Sequence, residues 1–286
     1  MITPSSLSSG SKIALVAPAR KVAEDDIAFA VEYIRQRGFV PIYDERLFLS
    51  YNQFAGNDEQ RASVLQHYLD ADDIDAIMCV RGGYGTVRII DRLDFDKFLQ
   101  KPKWIVGYSD VTVLHAKMQS LGIESLHATM PINFQDNSKQ ALDTLFDALC
   151  GKEIKYDLPQ QTLDILSKMK GEVVGGNISV LYSLLGSDIF PDVEGKVLFL
   201  EDLDEYLYHI DRMMMAFQRA GIFDKIGGLI IGGLTKMHDN AIPFGMTAEE
   251  IISEKTKDKN IPTVFNFPAG HINDNRAIIL GRRVGN

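Results

Sequence analysis

Residues 104–112 place a serine where it can act as a nucleophile. They read Trp-Ile-Val-Gly-Tyr-Ser-Asp-Val-Thr, an apolar strand that runs through a glycine into Ser109 and then into a predicted helix. A serine on a tight strand-to-helix turn exposes its hydroxyl beyond the sheet edge, and the first N–H groups of the helix can stabilise a developing oxyanion. The pattern therefore predicts covalent catalysis by Ser109.

A nucleophilic serine needs a base, and the base needs a third group that holds its ring in the right tautomer. Among the six histidines, His271 is favoured because it follows a strand and a Pro-Ala-Gly turn, where a side chain stands at the end of an element. His115 follows Ser109 by nearly two turns of the same predicted helix, which is too far to reach back. The contexts of His127 and His238 leave both of them open.

Glu201 is the candidate acid because it follows the apolar run 196–200, where a carboxylate is costly without a partner. In the alternative interpretation it lies near the N-terminus of the next helix, where the helix dipole favours an acid. The residues alone slightly favour that alternative. Ser109, Glu201 and His271 follow one another in the chain order of the α/β-hydrolases, although Val111 stands where the second glycine of their G-x-S-x-G elbow belongs.

A glycine-rich loop, Arg81-Gly82-Gly83-Tyr84-Gly85-Thr86, follows the strand that precedes the Ser109 strand. Its glycines allow positive φ and a close approach of backbone N–H groups to a ligand, so an oxyanion cradle and a plain tight turn are both open. The loop matches neither a phosphate loop nor a dinucleotide site. Because loops at the carboxyl ends of parallel strands share one crevice, we expect this loop to meet the Ser109 turn.

Alternating patterns predict the elements that position these residues. Short apolar runs alternate with helical spacings, which is typical of an α/β domain with a parallel sheet. The runs are 12–18, 39–43 and 76–80, and the helical spacings are 22–38, 59–69 and 111–121.

The second half of the chain has its own strands and helices. The pattern weakens over 137–171, which we interpret as the crossing between two domains. Gly175-Gly176-Asn177 is expected to open a helix over 178–185, and an amphipathic helix follows Glu201. We predict a flavodoxin- or amidotransferase-like N-terminal domain with the nucleophile (1–140), a crossing (141–170) and a smaller β-rich C-terminal domain with the acid and base (171–286).

Composition limits the partners and the compartment. The net charge of −9 supplies no basic face for nucleic acid. Two cysteines are too few for a disulfide framework, which favours a reducing compartment. The N-terminus lacks the pattern of a secretory signal, and no apolar run reaches the ~20 residues that span a bilayer. We therefore expect a cytoplasmic protein with no nucleic-acid or membrane partner.

Short motifs spread along nearly the whole chain are specific only in combination. They are Val16-Ala17-Pro18, Arg81-Gly82-Gly83-Tyr84-Gly85, Gly107-Tyr108-Ser109-Asp110, Gly175-Gly176-Asn177, Leu200-Glu201-Asp202 with Ile210-Asp211-Arg212, and Gly270-His271. In this combination the chain resembles the LD-carboxypeptidases, serine peptidases that also include the microcin C immunity peptidases.

The resemblance implies a triad of Ser109, Glu201 and His271, divided between an N-terminal α/β domain and a smaller C-terminal one. It also implies a metal-free, cofactor-free and commonly dimeric cytoplasmic enzyme. The better-known members release the terminal D-alanine from a murein tetrapeptide by cutting an L,D-peptide bond.

Further site residues are expected around the triad. The backbone N–H groups of Asp110 and of Gly82 or Gly83 are predicted to hold the oxyanion. Arg81 is a candidate anchor for the substrate's terminal carboxylate, with a structural ion pair as the alternative. Two further substrate-binding candidates, Tyr108 and Asn177, lie in the matching motifs.

Two other functions remain open. An amidase of the same fold that cleaves a peptidyl- or aminoacyl-nucleotide would use the same triad, and a non-catalytic protein that binds cell-wall peptides would keep the fold. The single tryptophan, Trp104, lies in the elbow strand and offers no platform for a nucleobase, which favours the murein substrate.

The chain departs from the family pattern at two places. His127-Ala128-Thr129-Met130 replaces the expected His-Gly-Pro, which is expected to alter the pocket floor and to leave the triad untouched. The chain stops at Gly285-Asn286, just after a strand, which would leave a sheet edge unpaired.

Overall fold

The computed structural model describes residues 1–283, and the chain end at Gly285-Asn286 lies outside the described residues. The strands are β1 Lys12–Val16, β2 Val40–Ile42, β3 Ala76–Cys79, β4 Trp104–Gly107, β5 Ser125–His127, β6 Val173–Asn177, β7 Val197–Leu203, β8 Gly228–Thr235, β9 Thr263–Val264 and β10 Ile278–Leu280. The α-helices are α1 Glu24–Gln36, α2 Asp58–Asp70, α3 Asp96–Gln100, α4 Thr112–Ser120, α5 Lys139–Leu149, α6 Gln160–Leu166, α7 Ile178–Leu184, α8 Leu207–Arg219, α9 Ile222–Lys225 and α10 Ala248–Thr256.

The first sheet has six strands in the order β10-β5-β4-β3-β1-β2. Strands β1 to β5 are parallel, and β10 runs antiparallel beside β5. Helices α1 and α5 pack on one face and α2 and α4 on the other, so both faces are buried by apolar side chains. This burial explains why the strands read as continuous apolar runs. The carboxyl ends of neighbouring β3 and β4 carry the glycine-rich loop and Ser109.

The second sheet is smaller and entirely parallel, in the order β6-β7-β8-β9. Helices α7, α8 and α10 cover one face. The other face packs against α6 and β10, so the last described strand belongs to the first sheet while its side chains help to bury the second. The two sheets therefore share packed side chains.

The α/β fold with a parallel first sheet and a smaller second sheet confirms the predicted fold class. Three local predictions need correction. The predicted crossing contains most of α5, whose N-terminus is capped by Ser138, and all of α6. Gly175-Gly176-Asn177 forms the end of β6, and only Asn177 opens the next helix, as its cap. Strand β7 continues through Leu203, which places Glu201 inside the strand. The division at 140 and 170 stays a prediction.

Candidate active site

Ser109 stands on a strained turn between β4 and α4. Its φ is +64°, in the left-handed region that side chains rarely occupy, and it starts a short 3₁₀ turn, Ser109–Val111. Such a conformation costs about 1–3 kcal/mol and is typically retained at functional sites. Gly107 makes the turn possible, because a Cβ there would lie 2.9 Å from a methyl carbon of Val111.

The glycine-rich loop lies directly against this turn. A Cβ added at Gly82 would lie 3.1 Å from the Ser109 Cβ, 3.3 Å from its Oγ and 3.4 Å from the backbone nitrogen of Asp110. The structure thus brings the two loops together, and the residue at the contact, Gly82, has no side chain. The Gly83 Cβ would instead meet the side chain of Arg20, at 2.5 Å.

The Asp110 carboxylate fastens the loop to the turn. Its Oδ2 accepts hydrogen bonds from the backbone N–H of Thr86, at 2.9 Å, and from the Thr86 hydroxyl, at 2.6 Å. Burial raises the pKa of Asp110, and the bonds from Thr86 oppose that rise. The Asp110 side chain is therefore a structural link, and its backbone N–H remains at the Ser109 turn.

His271 and Glu201 form a tightly bonded pair. The Nδ1 of His271 lies 2.6 Å from Oε2 of Glu201, and the backbone N–H of His271 donates to the same oxygen at 3.2 Å. Gly270 allows this approach, because a Cβ there would lie 2.7 Å from the Cβ of Glu201. Since a carboxylate oxygen only accepts, Nδ1 carries the proton and Nε2 is left as the basic nitrogen.

Burial and charge oppose each other in this pair. Glu201 is fully buried, and burial alone would raise its pKa, but the His271 ring holds the pKa below its ordinary value. Burial alone would lower the pKa of His271, but the charge and hydrogen bond of Glu201 raise it overall. The carboxylate therefore stabilises the imidazolium that forms when His271 takes up a proton.

The second sheet is joined to the Ser109 helix beside this pair. Asn177 and Glu201 are register partners on β6 and β7. The backbone N–H of Asn177 donates to the Thr112 hydroxyl at 3.0 Å, and a Cβ on Gly176 would lie 2.6 Å from the same hydroxyl oxygen. The acid is thus carried by a strand whose neighbour is bonded to the first turn of α4.

The side chain of Asn177 forms hydrogen bonds with other residues of the second sheet and of α7. Its Oδ1 accepts from the backbone N–H of Val180 and from the Ser179 hydroxyl, and its Nδ2 donates to Asp202 at 2.8 Å. Burial and the neighbouring Glu201 charge raise the pKa of Asp202 to about 7. These bonds favour a structural role for Asn177, and its role as a substrate ligand stays a prediction.

The ring of Tyr108 lies against the ring of His271. The ring centroids of Tyr108 and His271 are 4.8 Å apart, and the Tyr108 hydroxyl donates to Asn133 at 3.1 Å. Tyr108 directly precedes Ser109, so the His271 ring lies against the residue next to Ser109. Within residues 1–283 no hydrogen bond joins the Ser109 hydroxyl to the His271 ring. Such bonds are often long in unliganded enzymes and tighten when substrate binds.

Arg81 is half-buried at the start of the glycine-rich loop. Its guanidinium donates to the backbone carbonyl of Lys21 at 3.3 Å. Across the described part of the chain no aspartate or glutamate forms an ion pair with it. The structure therefore gives no support to the alternative of a structural ion pair.

Two buried histidines lie beneath the site: His115, which the sequence places too far from Ser109 to act as its base, and His127, whose role the sequence leaves open. His115 bonds through Nε2 to the Gly107 carbonyl at 2.8 Å and through Nδ1 to Ser125 at 2.9 Å. Burial and the neighbouring His127 lower the pKa of His115 to about 3, so it is neutral. His127 lies 4.0 Å from Glu201. The signal in the sequence is its place in His127-Ala128-Thr129-Met130, the stretch that departs from the family pattern.

The described residues hold no group of three or more His, Cys, Asp or Glu side chains suited to a metal ion. Nor does any helix among residues 1–283 have the length and apolar character to cross a membrane.

Comparison with known proteins identifies the family. Residues 13–128 match the LD-carboxypeptidase N-terminal domain, and residues 170–285 match the LD-carboxypeptidase C-terminal domain. The "Probable murein peptide carboxypeptidase" of Bacillus subtilis is 29% identical, covering 98% of this chain and 90% of that protein. The Microcin C7 self-immunity protein MccF of Escherichia coli is 25% identical, covering 93% of this chain and 86% of that protein.

Solved structures agree on the fold. The muramoyltetrapeptide carboxypeptidase from Oxalobacter formigenes superposes with a TM-score of 0.81 at 26% identity, covering 95% of this chain and 93% of that one. MccF in complex with glutamyl sulfamoyl guanosine superposes with a TM-score of 0.86 at 21% identity, covering 97% and 93%. The family resemblance seen in the motifs is confirmed.

Proposed function

This chain belongs to the LD-carboxypeptidase family and is a serine-type carboxypeptidase, and from that premise we propose that it releases the terminal D-alanine of a murein tetrapeptide by hydrolysing an L,D-peptide bond. The bonded His271–Glu201 pair beside the strained Ser109 turn carries the proposal. The relatives named for murein peptides support the substrate class.

In the proposed mechanism the Ser109 hydroxyl attacks the scissile carbonyl while Nε2 of His271 takes its proton. Glu201 holds Nδ1–H and stabilises the imidazolium. His271 then gives the proton to the departing amine of D-alanine, which leaves an acyl-enzyme on Ser109. A water molecule, deprotonated by His271, hydrolyses this ester and restores the serine.

The oxyanion is proposed to lie between the backbone N–H groups of Asp110 and of Gly82 or Gly83. The close approach of Gly82 to Ser109 and to the Asp110 nitrogen supports Gly82 as the donor of this pair. Loss of one such donor typically costs ~10²–10³ in turnover.

Arg81 is proposed to bind the terminal carboxylate of the substrate, because it begins the glycine-rich loop that lies against the Ser109 turn and because its guanidinium, within residues 1–283, bonds to a backbone carbonyl and to no carboxylate. Tyr108, which contacts the His271 ring, is proposed to line the pocket. Asn177, whose side chain caps α7, is proposed as a further substrate-binding residue.

The substitution Ser109→Ala tests the mechanism. We expect D-alanine release from a murein tetrapeptide, followed by mass spectrometry, to fall by at least ~10³-fold, while Ser120→Ala, an exposed serine at the far end of the same helix, keeps normal turnover. A serine-directed fluorophosphonate should label the native enzyme and leave the Ser109→Ala variant unlabelled. Near-normal hydrolysis by Ser109→Ala would refute the mechanism. Tight binding of the peptide by an unreactive native protein would favour the non-catalytic alternative.

The relationship to MccF gives the second candidate, an amidase that cleaves a peptidyl- or aminoacyl-nucleotide. A side-by-side assay with a murein tetrapeptide and an aminoacyl-sulfamoyl adenosine separates the two. We expect the tetrapeptide to have the higher kcat/KM, and a reversed ratio would assign the nucleotide substrate.

We further propose a cytoplasmic homodimer of two-domain subunits that works without metal or cofactor, as the family resemblance implies. The free thiols of Cys79 and Cys150 are compatible with a reducing compartment. Sedimentation equilibrium at several protein concentrations tests the dimer, and full activity after dialysis against a chelator tests metal independence.

A further inference from the structure

The two oxygens of Glu201 have very different surroundings. Oε2 accepts two hydrogen bonds from His271. Oε1 is buried and has no hydrogen-bond partner among residues 1–283. A buried carboxylate oxygen without a donor is costly, and native structures leave few such groups without a reason.

His127 is the second polar group at this place without a partner. Its ring is fully buried, and neither Nδ1 nor Nε2 has a hydrogen-bond partner within the described chain. The Nε2 atom lies 4.0 Å from Oε1 of Glu201. Two buried groups of complementary chemistry, each otherwise unsatisfied, therefore face each other.

Within residues 1–283 no other group forms a hydrogen bond with the His127 ring, and its ring contacts are with aromatic side chains. Phe199 packs edge-on at 4.9 Å between ring centroids and Tyr108 at 5.9 Å. The Tyr108 hydroxyl is already bonded to Asn133, and both nitrogens of His115 are already bonded to other groups. These aromatic contacts limit rotation of the His127 ring, and the polar atom that faces it without a hydrogen-bond partner among the described residues is Oε1 of Glu201.

We propose that His127 is a positioning residue for the catalytic pair, donating Nε2–H to Oε1 of Glu201 and so fixing the carboxylate that orients His271. An N–H···O bond needs a separation of about 2.7–3.2 Å, so a movement of about 1 Å forms it. Hydrogen bonds of a catalytic site often tighten when substrate binds, and the same tightening would bring Nε2 and Oε1 within bonding distance. With this bond, both oxygens of Glu201 are held, and the carboxylate cannot rotate away from Nδ1.

This inference rests on the proposed function, and its test uses a matched pair of variants of similar size. His127→Gln keeps a side-chain N–H donor that can reach Oε1, whereas His127→Leu fills the space without one. We expect His127→Leu to lower kcat by about 10- to 100-fold with KM little changed, and to slow inactivation by a fluorophosphonate in parallel. His127→Gln should recover most of the lost turnover.

Thermal unfolding of both variants separates positioning from packing. A positioning role requires that the two variants have similar melting temperatures and different kcat values. Equal losses of kcat in both variants, or native kcat in a folded His127→Leu protein, would overturn the inference. The Ser109→Ala protein is measured in the same assay, because residual activity there would overturn the proposed function instead.

Discussion

The approach of Gly270 to Glu201 makes a sharp prediction about Gly270→Ala. The added Cβ would lie 2.7 Å from the Cβ of Glu201, 2.8 Å from its Oε2 and 2.9 Å from its Cγ. Carbon atoms in contact are normally about 3.5–4.0 Å apart, so the turn or the Glu201 side chain has to move by ~0.8 Å or more. The φ of Gly270 is +101°, which adds backbone strain.

The two costs can be estimated separately. Left-handed backbone costs about 1–2 kcal/mol for a residue with a side chain. Overpacking of a buried site typically adds about 1–3 kcal/mol. We therefore expect Gly270→Ala to lower the free energy of unfolding by about 2–5 kcal/mol. Gly10→Ala is the matched control, because Gly10 has a φ of +87° and no atom within 4 Å of an added Cβ, so only the strain applies.

The same shift should reduce catalysis. Because Oε2 binds both the ring and the backbone of His271, moving the carboxylate moves the base, and a displacement of about 1 Å can cost roughly 10²-fold in rate. Urea unfolding gives the free energies, and D-alanine release gives kcat at a temperature where both variants are folded. Equal stabilities of Gly270→Ala and Gly10→Ala, together with native turnover of Gly270→Ala, would refute the reasoning.

Three further predictions concern single side chains of the site. In Glu201→Gln the amide carbonyl oxygen must occupy the Oε2 position, because the backbone N–H of His271 can only donate there, so the tautomer of His271 is kept while the negative charge is lost. The pKa of His271 should therefore fall, which moves the acid limb of the kcat/KM pH profile to lower pH, and an unmoved limb would contradict the pairing. We expect kcat to decrease by less than the ~10⁴-fold loss that follows when the base is held in the wrong tautomer. Arg81→Ala should raise KM for the tetrapeptide by about 10- to 100-fold with little change in kcat, and Arg81→Lys should show a smaller increase in KM. An unchanged KM in Arg81→Ala would refute the proposed role of Arg81 in substrate binding. Asn177→Ala should lower the free energy of unfolding, measured in urea, by about 2 kcal/mol or more, because it removes the buried bonds to Asp202 and Val180. Thr247→Ala, at the exposed cap of α10, should cost about 1 kcal/mol, and equal losses in the two variants would contradict a structural role for the buried bonds of Asn177.

The sequence predicted those parts of the fold that depend on local patterns. The apolar run 12–18 predicts a strand buried on both faces of a parallel sheet, and β1 occupies residues 12–16 of that run. The helix after the nucleophile was predicted from its spacing, and α4 begins at Thr112. The turn-rich texture of residues 137–171 predicts a crossing, yet α5 forms there because its apolar residues, at helical spacing, pack against the first sheet.

The local sequence pattern does not predict whether Glu201 is a buried strand residue or lies at the start of a helix. Its position after an apolar run fitted a buried acid and a helix start almost equally well, and the sequence alone slightly favoured the helix start. The structure continues β7 to Leu203, because pairing with β6 and β8 and the contact with His271 compensate for the burial of the carboxylate. The length of β7 is therefore set by its contacts with other parts of the fold, and these contacts are not encoded in the β-propensity of its residues.

The sequence by itself predicts the Ser109 turn, the glycine-rich loop beside it and the family to which their combination belongs. These features can be predicted from neighbouring residues alone, because a strand, a glycine and the start of a helix in succession are enough to form a turn. Only the tertiary structure decided that Oε2 of Glu201 is bonded twice to His271 while Oε1 faces His127. Those contacts join residues far apart in the chain across two sheets, so their physical cause is the packing of one sheet against the other.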